Sequence, residues 1–286
     1  MINVLDPGFF TTVQDLGRHG FQHFGVPVSG VMDLYSMHLA NSVLGNTADM
    51  AVLEMTLKGP KLQFDYDSVI CISGGEMSAK VNDSAVLLHH PTIVHAGDVI
   101  SFGKLQYGVR TYLAVRGGLK SEQIMGSRSM CYPVTSNPMI FKGDSLPIDK
   151  IEGIAPSAHA FIKIDSSHFD SDSIDVHEGP EFKRLSKDQQ HNLLTNEFTI
   201  SKNNNRMAYQ LNEYLENNIK PIITSPVLAG TVQLTPSGKL IILMRDCQTT
   251  GGYPRVLQLD SNAINKLSQK FTAQQIKFKK IQKNHF

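Results

Sequence analysis

The run Asp246-Cys247-Gln248-Thr249-Thr250-Gly251-Gly252-Tyr253-Pro254-Arg255 concentrates carboxylate, amide, hydroxyl and guanidinium groups straight after an apolar stretch. Asp246 has the chemistry of a general base, Tyr253 of a donor, and Arg255 of a two-point clamp on carboxylate or phosphate. Gly251 and Gly252 allow close approach of a ligand and could turn successive N–H groups toward an anion. The plain alternative is a tight turn whose tyrosine plugs the end of a barrel. Cys247 has no adjacent histidine to activate it as a nucleophile. A second concentration, TTVQDLGRHGFQHFGVPVSG, brings Gln14, Asp15, Arg18, His19 and His23 close together. Two nearby histidines invite a metal, yet no third ligand follows at a regular spacing, and loop histidines are usually only hydrogen-bonded. A third, Gly126-Ser127-Arg128-Ser129, offers one guanidinium on a small-residue turn, equally suited to an anion contact and to a surface loop.

The elements that must position these groups read mainly as strands. Gly230–Leu234 and Lys239–Met244 are two strands around the turn Pro236-Ser237-Gly238, and the second has the unbroken apolar run of a strand buried on both faces. Earlier in the chain, Ile2–Asp6 is a short strand. Asp33 caps a helix that Gly45 stops after Leu44. From Ala51 to Gly118 short strands succeed one another, with a hairpin turn at Val81-Asn82-Asp83-Ser84. Asn137–Ser173, rich in Pro, Ser and Asp, reads as a connection. In the second half, Ser186 and Gln189 form a capping box, and Met207, Leu211, Tyr214 and Leu215 follow a helical spacing. Asp260 or Ser261 caps another helix, and IKFKKIQ reads as a closing strand.

An internal repeat supports two similar halves. INVLDPGFF is echoed by IDVHEGPEF, LKGPKLQF by LAGTVQL, and the helix after Asp33 falls opposite Arg206–Leu215, with Asn41 against Asn212. The chain is therefore expected to be mainly β with inserted short helices, in two tandem domains at 1–165 and 166–286. Short strands at close spacing favour barrels or sandwiches over a parallel sheet with crossover helices.

Across 286 residues, a net charge of +1 and 19% charged residues give no electrostatic reason to expect nucleic acid or an anionic membrane. The start, MINVLDPGFF, does not resemble a signal peptide, so a cytoplasmic location is expected. Cys71, Cys131 and Cys247 are too far apart for a disulfide framework or a zinc site. Phosphate-loop, zinc-protease, nucleophile-elbow and dinucleotide motifs are absent, as is the Met-Lys-Met hairpin that carries biotin. Use of ATP or biotin would call on a partner.

The stretches PGFFTTVQDLGRHGFQHFGVPVSGVMD, LANSVLGN, LEMTLKGP, RTYLAVRGGL, GSRS and RDCQTTGGYPR resemble the family of the 5-oxoprolinase C subunit, also called allophanate hydrolase subunit 2 or the biotin-dependent carboxyltransferase family. The resemblance implies two cyclophilin-like β-barrel domains. It also implies ATP-dependent opening of 5-oxoproline to glutamate, in a complex with a subunit-1-like (B-type) partner and a third 5-oxoprolinase subunit. Two other classes follow from the same relatives: a carboxyltransferase subunit served by biotin on a partner, and a non-catalytic regulator of a histidine kinase pathway. The family's polar motifs fall on Gln14, Asp15, Arg18, Asp33, Arg116, Ser127, Arg128, Asp246, Gln248, Thr249, Thr250 and Tyr253.

Opening a lactam with ATP and Mg²⁺ needs cations and N–H donors around developing charge, for which Arg18, Arg128 and the Gly251-Gly252 backbone are the candidates. It also needs a carboxylate for Mg²⁺ or water, Asp246 first and Asp15 second. Tyr253 joins these as a catalytic candidate. Gln14, Asp33, Arg116, Ser127, Gln248, Thr249, Thr250, Gly251 and Gly252 are the candidates for holding substrate. The chain departs from the family pattern at Glu181, Ala208, Gln210 and Gln274-Gln275, all in the second domain.

Overall fold

A computed structural model describes residues 1–150 and 165–281. The chain divides into two compact units, Met1–His19 with Ser29–Asp165 and Gly20–Val28 with Ser166–Phe286. Among the described residues no helix is long and apolar enough to cross a membrane.

The first unit has two β-sheets. The five-stranded sheet runs in the order Phe10–Gln14, Val52–Thr56, Tyr107–Val115, Ser68–Glu76, Thr92–Val94. Strand alternation sends Leu53, Met55, Ile70, Ile72, Leu113 and Val115 into a core shared with Ile2, Val4, Leu62, Phe64 and Ile100 of the six-stranded sheet. The other face carries Val52, Val69, Cys71, Tyr112 and Ala114, which pack against Met37, Ala40 and Leu44 of the helical segment. Ser68–Glu76 is thus covered on both faces, which explains its continuous apolar run. The helix Leu34–Val43 begins where Asp33 Oδ1 accepts from Ser36 N at 3.2 Å. It stops before Gly45, whose φ of 68° most residues avoid. Asn82 and Asp83 both have positive φ, the requirement of a two-residue hairpin turn.

The connection expected over Asn137–Ser173 begins later than its composition implied. Ser145 and Leu146 pair with Asn3 and Ile2, and Ile148 bridges Leu119, so these residues belong to the first unit's sheet system. Residues 151–164 of that stretch lie outside the described residues.

The second unit is a closed barrel in the order Ser173–Glu178, Arg255–Leu259, Thr231–Leu234, Lys239–Leu243, Ala208–Tyr214, Glu197–Asn204, Gln275–Lys280. The closing pair, Ser173–Glu178 with Gln275–Lys280, is parallel. In Lys239–Leu243, Leu240 and Ile242 are buried, while Ile241 packs on a small cluster of Val227, Leu243 and Cys247. Helix Lys187–Thr195 carries the full Ser186/Gln189 capping box, and Asp260 caps Ser261–Ser268.

The helical reading of Arg206–Leu215 is overturned. Ala208–Tyr214 is a strand paired with Lys239–Leu243, burying Tyr209 and Leu211 while Met207 and Tyr214 stay exposed. The correspondence of this segment with the first unit's helix falls with it.

Candidate functional site

In the first unit the strand Phe10–Gln14 runs into Asp15, whose carboxylate organises the loop after it. Oδ1 accepts from Gly17 N at 2.8 Å and from the hydroxyls of Ser127 and Ser129 at 2.6 Å each. Oδ2 accepts from Arg128 N at 2.6 Å. The Gly126–Ser129 turn is therefore fastened to Asp15 across more than a hundred residues of sequence. Gly30 lies against the same loop: a Cβ there would fall 2.9 Å from Leu16 C and 3.0 Å from Asp15 O.

Beside this knot is a pocket of about 390 Å³ whose lining includes Asp15, Gly17, His19, Gly118, Lys120 and Arg128. Lys120 pairs with Asp149 at 3.0 Å. Arg128 Nη1 donates to Ser121 O. His19 Nε2 is 3.2 Å from Leu16 O. His23, which belongs to the second unit, has its ring tilted against that of Phe24 with the centroids 3.9 Å apart. Arg18 is wholly buried; Nη2 donates to Ser129 O, while Nε and Nη1 have no partner. Gln14 Nε2 donates to Thr12 Oγ1 at 3.1 Å and Met130 O at 3.0 Å, leaving Oε1 without a partner.

A buried network supports the loop that carries Asp33. Glu54 Oε2 accepts from Met32 N at 2.7 Å and from the Tyr112 hydroxyl at 3.0 Å, and that hydroxyl accepts from Asp33 N at 2.9 Å. Arg110 Nε lies 3.8 Å from Glu54 Oε1. Burial, reinforced by the Glu54 and Asp33 charges, pushes the Tyr112 hydroxyl well above its ordinary range. Asp33 holds the helix start through Ser36, with Ser36 Oγ 2.6 Å from Oδ2. Arg116 follows the strand Tyr107–Val115, its N–H donating to Val69 O at 2.8 Å.

In the second unit Thr250–Gly251 pairs with Ser225–Pro226 as a short ladder, and Thr249 O and Gly252 O accept from Val227 N and Ile222 N at 3.0 Å each. Neither Gly251 nor Gly252 has the positive φ that alternates in an anion nest, so the expected nest does not form. A Cβ on Gly251 would lie 2.5 Å from Gln233 Nε2, so any larger residue there would have to move the end of that side chain. Gln248, Thr250 and Tyr253 are exposed, and Thr249 is half-buried. Asp246 meets Arg206, with Nε–Oδ2 at 2.7 Å and Nη2–Oδ1 at 2.9 Å. Arg255 clamps Glu181 at two points of 3.0 Å each. Cys247 is buried, and that burial pushes its thiol up to about 12.

Residues 24–280 match the family model described as carboxyltransferase domain, subdomain A and B. The chain belongs to this carboxyltransferase-domain family. It is 31% identical over 262 residues to the 5-oxoprolinase C subunit of Escherichia coli (strain K12), covering 90% of this chain and 83% of that one. Against the 5-oxoprolinase C subunit of Haemophilus influenzae (strain ATCC 51907 / DSM 11121 / KW20 / Rd) it is 29% identical over 294 residues, covering 98% and 91%. The crystal structure of TTHA0988 in space group P212121 superposes with a TM-score of 0.86 at 26% identity, over 97% of this chain and 55% of that one.

For this carboxyltransferase-domain chain, the candidates named from sequence other than Asp33 and Arg116 fall into two groups. Gln14, Asp15, Arg18, Ser127 and Arg128 converge around one loop of the first unit. Asp246, Gln248, Thr249, Thr250, Gly251, Gly252 and Tyr253 lie together in the second. Arg255, expected as a clamp on a ligand's carboxylate or phosphate, instead has its guanidinium engaged by the chain's own Glu181, one of the departures from the family pattern. Glu54, Tyr112, Arg110, Lys120 and Arg206 were missed. Glu54 had a signal, a carboxylate in the middle of the apolar run AVLEM, where strand alternation makes its burial a question worth asking. Among the described residues no group of three or more His, Cys, Asp or Glu is arranged to hold a metal ion. Asp15 and Asp246 both give their oxygens to protein donors, so neither fits the role of Mg²⁺ ligand as placed.

Proposed function

We propose that this chain is one subunit of a cytoplasmic, heteromeric, ATP-dependent 5-oxoprolinase that opens 5-oxoproline to glutamate, working with a subunit-1-like partner and a third subunit. The observation that carries the reading is the near end-to-end alignment with two proteins named as the C subunit of 5-oxoprolinase. A lactam carbonyl is a poor electrophile, which gives ATP a reason to take part as a substrate. Phosphoryl transfer to the lactam oxygen activates the ring carbon. Water then adds, the ring nitrogen leaves as the amine, and the acyl phosphate so formed is hydrolysed to glutamate and phosphate. This chain's contribution is cationic and N–H donors near the developing charge, foremost Arg18 and, on the turn that Asp15 fastens, Arg128. Ligands for the Mg²⁺ that accompanies ATP would come from the partners, and no step is assigned to it.

The family description favours a second reading, a carboxyltransferase subunit served by biotin on a partner. One assay separates the two. Phosphate release by the chain mixed with its partner subunits is expected only when 5-oxoproline and ATP are both present. An assembled complex that shows no such turnover, but transfers carboxyl from a biotinylated carrier, would replace the first reading by the second.

A further inference from the structure

Arg18 brings a guanidinium into a place where nothing charged answers it. Its side chain is wholly buried, one nitrogen reaches Ser129 O, and Nε and Nη1 have no partner. Asp15, in the same loop, gives its oxygens to Gly17, Ser127, Ser129 and Arg128 instead. Buried charges are normally paired, because desolvating a lone one is costly, and unfilled buried donors point to a missing acceptor. Gln14 shows the converse, a buried Oε1 without a donor. The two side chains are anchored to consecutive carbonyls, Ser129 O and Met130 O, of the segment that Asp15 fastens. Together they present two cationic donors and one neutral acceptor.

We propose that Arg18 and Gln14 form an oxyanion subsite in the first unit, in which Arg18 Nε and Nη1 take the oxygens of a small anion and Gln14 Oε1 accepts from an N–H beside it. The matching ligand class is an α-amido carboxylate. 5-Oxoproline, whose carboxylate stands on the carbon next to the lactam N–H, is its simplest member, and that choice of ligand rests on the function proposed above. The same donors would take a phosphoryl oxygen. The neighbouring pocket is lined by Asp15, Gly17, His19 and Arg128, the chain neighbours of Gln14, Arg18 and Ser129, and not by Gln14 or Arg18 themselves, so a ligand entering from it would have to part that lining. The competing explanation is a buried water joining Gln14 Oε1 to Arg18.

The test is calorimetric binding by the full chain, alone and assembled with its partner subunits, using 5-oxoproline, 5-oxoprolinamide and inorganic phosphate as probes. Arg18→Gln should weaken 5-oxoproline binding by about tenfold to a hundredfold, the range of a charge-assisted pair. Arg18→Lys, which keeps the charge, should weaken it less and serves if the glutamine variant misfolds. Masking the ligand's carboxylate should cost wild type as much, and should cost Arg18→Gln nothing further, since the two changes remove one interaction. Phosphate binding with the same dependence on Arg18, without 5-oxoproline binding, would keep the subsite and assign it to a phosphoryl group. The subsite is overturned if neither anion binds, or if both Arg18 variants bind like wild type. Turnover of 5-oxoproline with unchanged binding in the variants would leave the enzyme reading intact and remove only this one. Arg18-dependent binding without turnover would do the reverse.

Discussion

Arg206 and Asp246 form a two-point ion pair in the second unit, Nε to Oδ2 at 2.7 Å and Nη2 to Oδ1 at 2.9 Å, with side chains only 7% and 13% exposed. Two parallel N–H···O bonds of this kind fix both partners in orientation. Asp246 opens the polar run that reads most like a site, and its backbone N–H also donates to Arg206 O at 2.9 Å. A role for Asp246 as base or ion ligand therefore begins with displacing Arg206.

This geometry predicts that Asp246→Ala destabilises the protein by about 3–5 kcal/mol, because a nearly buried guanidinium loses its counter-charge. The double variant Arg206→Met/Asp246→Leu should recover most of that loss. Urea denaturation of the two variants measures both quantities. An alanine variant as stable as wild type would show that the pair holds nothing. The same measurement is needed before lost turnover in Asp246→Ala is taken as loss of a catalytic group.

Acid should weaken the other fork. Arg255 holds the Glu181 carboxyl below its ordinary 4.5, chiefly through side-chain hydrogen bonds that favour the charged form. As pH falls, the unfolded chain takes up this proton first. The stabilisation is thus full above about pH 5 and is lost as pH drops below 4.5 and through the lowered folded value. The stability difference between wild type and Glu181→Gln should be constant near neutrality and shrink below about pH 4.5. A difference that grows on acidification would show the sign to be wrong.

Local chemistry makes several elements legible in the sequence alone. Asp33 and Gly45 bracket their helix, Ser186 and Gln189 start theirs, and Asn82-Asp83 turns its hairpin, each by interactions within a few residues. The segment AYQLNEY is ambiguous for a physical reason. Met207, Leu211, Tyr214 and Leu215 satisfy a helical period while Tyr209, Leu211 and Leu215 satisfy a strand's, and pairing with the neighbouring barrel strand, Ala208 opposite Leu243, decides between them. The conformation of Gly251-Gly252 is likewise set from outside, by Ser225–Pro226. The partners of Asp246, Arg255 and Asp15 lie 40, 74 and more than a hundred residues away, where no local pattern reaches.

His89 offers a test in the same pH direction as Glu181, through a buried neutral imidazole instead of a paired carboxylate. It is buried, with both ring nitrogens unpartnered and φ at 61°. Burial, with a smaller contribution from His90, brings its pKa down from 6.5 to about 4. Between those values the unfolded chain binds a proton that the folded chain does not, so stability should rise with pH across the window. The slope from this group is at most about 1.4 kcal/mol per pH unit. His89→Asn keeps a side chain tolerant of positive φ and removes the titration. Its stability should be flatter than that of wild type from about pH 4 to 6.5, measured by denaturant midpoints at fixed salt. Identical slopes would mean that the imidazole gains a partner or water when protonated.

Asp15 gives the sharpest prediction about the candidate site. Its Oδ2 accepts a backbone N–H from Arg128, and its Oδ1 accepts a backbone N–H from Gly17 and the hydroxyls of Ser127 and Ser129. In Asp15→Asn one of these positions becomes an NH₂ group, which faces a backbone N–H whichever way the amide is turned. Hydroxyl groups can reverse their bonds, but a peptide N–H cannot. The variant should therefore lose about 1–3 kcal/mol and loosen the turn that carries Arg128. Ser127→Ala and Ser129→Ala should cost similar amounts, because each hydroxyl donates to Asp15 Oδ1 and accepts one backbone N–H at 3.0 Å, Ser127 Oγ from Ser129 N and Ser129 Oγ from Asp15 N. Amide hydrogen exchange at Ser127, Arg128 and Ser129 should rise in Asp15→Asn while the strand Ser68–Glu76 keeps its protection. If exchange rises uniformly across the unit instead, Asp15 stabilises the fold at large and does not hold the turn specifically. A turn that stays protected would remove Asp15 as its anchor.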